Sequence, residues 1–276
     1  MSGRFLHPYP AIFAARFLML LQYRAAALAG IVTQFWFGTI MIMVLFAFYT
    51  GGRGSASITL AEAITYTWLG QAFLGLLPWN VDPEIAVMMR TGNVAYERLR
   101  PVDTYFYWLA RAMAWRIAAT LLRAVPVVMV TSVLFEFVGL GDWSLRPPPS
   151  LEALALFMLS MVAVVFLSSA MTTLLNISVV WTISDQGINV ITNSLVIILS
   201  GLIIPLPLFP DWAHTMLFVQ PFAGLVDIPY RIYFANLSGA AALSGIALQF
   251  LWTIAFIVLG RLLMAHTMRR VQVQGG

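Results

Sequence analysis

From Ala153 to Pro210 the chain carries one charged residue, Asp185, in 58. As continuous helix at a rise of 1.5 Å per residue, that stretch would be about 87 Å long, nearly three bilayer cores of about 30 Å. No globular interior is deep enough to hide it, so it has to lie in lipid and fold back on itself. The polar cluster Asn176, Ser178, Ser184, Asp185, Gln186, Gly187 and Asn189 is the only turning point that the sequence offers. It divides the stretch into two expected spans, 154–175 and 188–204.

The rest of the chain agrees with this solvent. It is 61% hydrophobic and 9% charged over 276 residues, whereas soluble chains carry about 25% charged residues. Ala25–Tyr49 is free of charge and forms the expected first span, closed by the Gly-rich turn Thr50–Ser55. Further spans are expected at 58–79, 112–138 (with Pro126 as a kink) and 240–264. The whole chain, 1–276, is then a single transmembrane domain of six helices. The N-terminal 24 residues, with Ile12, Phe13, Phe17, Leu20 and Leu21 at helical spacing, read as an amphipathic interfacial helix or as a simple extension of the first span. No cleavable signal peptide is expected, because more than twenty residues with Arg4, Arg16 and Arg24 precede the first apolar run. Prolines 205, 207, 210, 221 and 229 punctuate an apolar segment, 205–235, that cannot be a clean span. Short re-entrant or interfacial helices fit it.

Six spans put both termini and the segment 82–111 on one side. That side then holds Arg4, Arg16, Arg24, Arg90, Arg98, Arg100, Arg111, Arg116, Arg261, Arg269 and Arg270. The other side holds Arg53, Arg146 and Arg231, and Arg123 lies inside a span. The excess of positive charge assigns the first side to the cytoplasm. A multi-pass protein of the bacterial cytoplasmic (inner) membrane, with both termini inside, is the resulting expectation. Arg98, Arg100, Pro101, Arg111 and Arg116 are then topology and interface residues. Arg123 either snorkels to headgroups or faces a translocation path.

Reaction chemistry is not legible. The chain has no lysine, so it holds no phosphate-binding Gly-Lys-Ser/Thr loop and cannot hydrolyse ATP by that means. His7, His214 and His266 lack metal-ligand spacing, and there is no cysteine. Neither a metal site nor an enzyme is expected, and no partner role for nucleic acid.

Three stretches carry a resemblance. The first is Ile85-x-x-x-Met89-Arg90-Thr91-Gly92-Asn93-Val94-Ala95-Tyr96-x-x-Leu99-Arg100-Pro101-Val102. The second is Ser200-Gly201-x-x-x-Pro205-x-x-x-Phe209-Pro210-x-Trp212, and the third Gln220-Pro221-Phe222-x-x-x-x-Asp227-x-Pro229-x-x-Ile232-Tyr233. In order and placement they resemble membrane (permease) subunits of type-2 ABC exporters, in the six-span bacterial subgroup encoded beside a separate ATPase. The resemblance implies a half-transporter, in which two permeases pair with two nucleotide-binding subunits that hold the ATP and magnesium. It further implies that Pro83, Glu84, Ile85, Met88, Met89, Arg90, Gly92 and Asn93 form a cytoplasmic coupling helix between spans two and three. Gly201, Pro205, Phe209, Pro210, Trp212, Pro221 and Phe222 would close the outer mouth.

The residues of the first stretch have a physical reading of their own. Asp82-Pro83-Glu84 is a helix start, with proline in the first turn and acids at the positive end of the dipole, and Gly92-Asn93 is a stop. Such a capped helix can transmit a push, or the segment can be a loop whose arginines only set topology and bind anionic headgroups. An amphipathic, lipid-like or drug-like substrate is expected, along a path through Phe35, Trp36, Trp68, Phe73, Met171 and Asn193. The rival readings are an ion-coupled carrier and a non-transporting membrane scaffold.

Overall fold

The computed structural model describes residues 8–53, 58–182 and 185–270. Arg4, His7, the end of the expected turn at 54–55, and Ser184 lie outside the described residues. So do the side chains of Arg53, Arg98, Arg269 and Arg270. All regular structure among the described residues is helical.

Helix α1 (Pro8–Leu20) is separated from α2 (Arg24–Phe48) by a turn at Leu21–Tyr23. Then follow α3 (Leu60–Phe73) and a short helix α4 (Pro83–Arg90). Helix α5 (Thr104–Met129) passes through Pro126 and loosens into a π-type turn, Val130–Leu134, before the last helical turn α6 (Phe135–Phe137). Helix α7 (Leu151–Thr182) is followed by α8 (Asp185–Leu199), the short helices α9 (Asp211–Val219) and α10 (Asp227–Tyr233), and α11 (Gly239–Arg270).

Four stretches are long and apolar enough to cross a membrane: Arg24–Gly51, Thr104–Phe137, Leu151–Thr182 and Gly239–Thr267. They overlie the expected spans at 25–49, 112–138, 154–175 and 240–264. The other two expected spans are shorter than drawn. The helix of 58–79 ends at Phe73 with one tight 3-10 turn, Leu74–Leu76. Pro78 forbids helix at Leu77, which is extended at φ −72° and ψ 142°. The helix of 188–204 ends at Leu199, and Gly201 takes φ 85°, a left-handed backbone that glycine adopts without strain. The turning cluster is corrected as well. Asn176 and Ser178 lie inside α7, because the Asn176 side chain finds its hydrogen bond across the fold instead of competing with its own helix.

Helix α7 is the axis of the bundle, packed between α5 and α11. Its Ser168 hydroxyl donates to the Leu76 carbonyl, and its Ser160 donates to Gln249 of α11 at 2.9 Å. Gln249 in turn donates to the Gly224 carbonyl at 2.7 Å. Helix α2 lies on α3 at Gly38, where the Trp68 ring stands 2.5 Å from where a Cβ would be. That ring is fully buried and its indole donates to the Trp143 carbonyl at 2.8 Å.

The bundle has two chemically different ends. One gathers α1, α4, the starts of α5 and α8 and the ends of α7 and α11, with Arg16, Arg90, Arg100, Arg111 and Arg261. The other gathers the close of α2, the start of α3, the 139–150 loop, residues 200–208 and α10. There Tyr49 donates to Ile58, the Arg146 amide to Thr65, Tyr66 to Gly201 and Tyr233 to the Arg146 carbonyl.

Candidate functional site

Helix α4 has eight residues, too few to be stable alone in water. Its sequence supplies local help. The Asp82 carboxylate caps it by accepting the Glu84 amide at 2.9 Å, Pro83 opens the first turn, and Gly92 closes it at φ 73°. The rest of its stability comes from four other helices.

Arg16 of α1 meets Glu84 at 2.6 Å and Asp82 at 3.8 Å. Arg111 of α5 meets the same two carboxylates at 2.7 Å and 3.0 Å. The backbone just before α4 is held as well: the Asp82 amide donates to Asn176 of α7 at 2.8 Å, and the Val81 amide to Asn189 of α8 at 3.0 Å. Beyond them, Ile85 and Ala86 are buried, and at the far end Arg90 pairs with Asp185 at 3.0 Å. Two acids and two arginines thus share one small volume in which Asp82 is 3% exposed. Burial works to raise the Glu84 carboxyl, but hydrogen bonds and charge from Arg111 and Arg16 overcome it and hold the group below the usual carboxylate range.

The opposite face of the segment is open. Val87 is 49% exposed, Tyr96 67% and Leu99 79%. Arg90, Thr91, Gly92 and Asn93 are exposed, and Met88 and Met89 are half-buried. One side of the segment is therefore fixed to the bundle, and the other presents apolar groups beside a cation.

The structure separates the residues grouped as topology and interface residues. Arg100 lies over the Tyr107 ring at 4.6 Å and Pro101 is exposed. Arg111 and Arg116 do not lie at a surface: they are 8% and 3% exposed. Arg116 donates to Thr172 at 2.8 Å and lies over Trp115 at 4.8 Å. Arg123 packs on Gly30 of α2, its Nε 2.6 Å from where a Cβ would be.

Of the outer group, Gly201 is buried, Phe209 and Phe222 pack on the main core, and Pro205 and Pro221 are half-buried. Pro210 and Trp212 are exposed, Trp212 at 82%. The expected path residues do not line one cavity. Trp36 is exposed, while Trp68 and Met171 are closed in the core, Phe35 lies against Trp68 and Phe73 against Phe157. Asn193 keeps a buried Oδ1 without a hydrogen-bond partner.

Sequence reading missed Arg16, Asn176 and Asn189 as anchors of α4, and the buried Asp227 of α10. The helix-start pattern pointed to Asp82 and Glu84, but nothing local pointed to their partners, 94 positions from Asp82 and 68 from Glu84. No group of three or more metal-ligating side chains converges among the described residues. No family model matches the chain, and neither a curated protein nor a solved structure does.

Proposed function

We propose that the chain is the permease subunit of an ATP-driven exporter of the type-2 ABC kind. It crosses the bacterial cytoplasmic membrane six times with both termini inside. A separate nucleotide-binding ATPase docks on α4, a second permease subunit completes the pathway, and ATP with its magnesium stays on the partner. The observation that carries this reading is α4 itself. A helix clamped at its N-terminus to α1, α5, α7 and α8 moves those four helices when its open face is pushed.

The reading of six crossings is supported by where the short helices begin and end. Ile58 lies at the Tyr49 end of the bundle, and Val81 and Asp82 at the Asn176 and Asn189 end. The chain through α3 therefore traverses the fold. Residues 185–201 run the other way, from the Arg90 contact to the Tyr66 contact. At 14 and 15 residues these helices span about 21 and 22 Å. The irregular stretches that extend them begin in protein, with Leu76, Leu77 and Pro78 buried after the one and Ser200 and Gly201 after the other, a setting that membranes tolerate. The sidedness of the arginines favours α4 facing the cytoplasm.

The test uses an exposed residue, so that folding and docking stay separate. A P-loop ATPase is expected to be encoded beside the chain and, when co-expressed, to co-purify with it, and Val87→Asp is expected to lower the recovered complex at least tenfold. Wild-type recovery with Val87→Asp and Leu99→Asp combined would sink the assignment of α4.

A further inference from the structure

Between α2, α3 and residues 197–208 lies an open cleft of about 530 Å³. Its walls are apolar, with Phe37, Met41, Leu45, Leu74, Trp79 and Ile204 among them, and none of the residues that line it is charged. Its volume and composition match sites for small, mostly apolar ligands with a few fixed polar contacts. One of its residues is out of place. Gln34 is 3% exposed, and neither its amide nitrogen nor its amide oxygen has a hydrogen-bond partner.

A buried amide left without partners forfeits its hydrogen bonds to water with nothing in return, so an orphan of this kind asks for an explanation. The helix around it explains its burial but not its chemistry. Ala27, Gln34, Gly38 and Ile42 form the buried stripe of α2, a stripe that calls for apolar side chains and not for an amide. An amide offers both a donor and an acceptor. Thr33, Thr67 and Gln71, which also line the cleft, add uncharged polar groups. Arg123 packs one helical turn away on Gly30 and does not line the cleft, and Glu62, Asp227 and Arg231 line a neighbouring smaller cavity that shares Ile58, Tyr66 and Pro205 with it.

We propose that this cleft binds a neutral amphiphile, its chain along the apolar wall and its hydroxyl or amide group hydrogen-bonded to Gln34. The absence of charge from the lining selects against fatty-acid anions and alkylamines, whose ionised heads would be stripped of water with no counter-charge. The proposal deepens the export reading, which supplies only the fate of the ligand, since binding itself needs no ATPase and is measured on this subunit alone.

Trp79 lies in the cleft and makes the binding visible. The full chain is reconstituted in phosphatidylcholine vesicles containing graded mole fractions of a brominated monoacylglycerol, a brominated fatty acid or a brominated alkylamine. Fluorescence quenching that disappears in Trp79→Phe reports the cleft. The monoacylglycerol is expected to reach half-saturation at a mole fraction about fivefold below the two charged amphiphiles, the worth of a desolvated hydrogen bond. Gln34→Leu should raise the monoacylglycerol's own half-saturation about fivefold, and Leu45→Trp, which fills the cleft and keeps the amide, should reduce quenching by all three.

Equal half-saturation in wild type and Gln34→Leu would show ordinary boundary lipid and overturn the proposal. So would preference for the fatty acid that is lost in Arg123→Gln, which would place an anion site there instead. Quenching absent for all three, with Met41→Cys cross-linking efficiently to a second copy, would mean that the cleft is a subunit interface. If the ATPase fails to co-purify while the monoacylglycerol preference holds, the export reading falls and the binding site stands.

Discussion

Asp227 shows at the scale of one residue what an apolar chain hides. It is fully buried, its amide donates to the Ser200 carbonyl at 3.1 Å, and its nearest cation, Arg231, stands at 3.6 Å, too far for a good hydrogen bond. Burial pushes its carboxyl up to about 6, against the pull of Arg231 and, more weakly, His214. Around it, Glu62 and the Tyr66 hydroxyl complete the set of ionisable neighbours that share its cavities. An unfolded aspartate titrates near about 3.9. The folded chain therefore holds this proton more tightly, so its contribution to stability is full below about pH 4 and is lost as pH rises through about 6. That contribution amounts to about 3 kcal/mol. Purified protein is expected to show a higher thermal midpoint at about pH 5 than at about pH 7.5. Asp227→Asn should flatten that slope and raise the midpoint at the higher pH. The same slope in both proteins would remove the assignment. The sequence displayed Asp227 in a proline-rich stretch as one polar letter among several, and its burial is set by Ser200 and Gly201, which arrive from the end of α8.

At the scale of elements, legibility followed the reach of each interaction along the chain. The caps of α4 depend on neighbours one to three positions away, so Asp82, Pro83 and Gly92 could be read directly. The long apolar helices were legible because lipid demands about 20 apolar residues in a row. The clamp on α4 was not legible, because Arg111 and Arg16 were indistinguishable from water-facing cations until Asp82 and Glu84 stood beside them. The ion pairs of α4 also differ in weight, as one from each end shows. Arg111 is buried with Asp82, and removing one member of a buried pair costs about 3–5 kcal/mol, since the other stays behind uncompensated. Arg90 and Asp185 are half-exposed, a setting in which pairs contribute about 0–1 kcal/mol. Chemical denaturation should therefore show Arg111→Gln losing several kcal/mol and Arg90→Gln nearly none. Equal losses would mean that the clamp does not hold α4 in the folded chain.

The whole molecule is a bundle whose two ends differ in charge, and the proposed orientation in a bilayer rests on that polarity. Arg16, Arg90, Arg100, Arg111 and Arg261 gather at the α4 end, with Arg146 and Arg231 at the other. Four long helices alone would fit several topologies. In the proposed six-crossing reading the two short helices remove most of that freedom, because the chain through α3 and the chain through α8 each run from one end of the bundle towards the other. If either failed to cross, one end of the fold would have to be shared between both sides of the membrane, and the arginines would divide with it. The chain contains no cysteine, so single introduced thiols report their side without background. Thr91 is exposed beside α4, while Asp142 follows α6 and Trp212 opens α9 at the opposite end. In intact cells an impermeant maleimide is expected to label Asp142→Cys and Trp212→Cys and to leave Thr91→Cys untouched until the membrane is opened. Labelling of all three from outside would invert α4 and with it the docking of any cytoplasmic ATPase. Labelling of Asp142→Cys without Trp212→Cys would show that α8 turns back inside the membrane, leaving five crossings and opposite sides for the two termini.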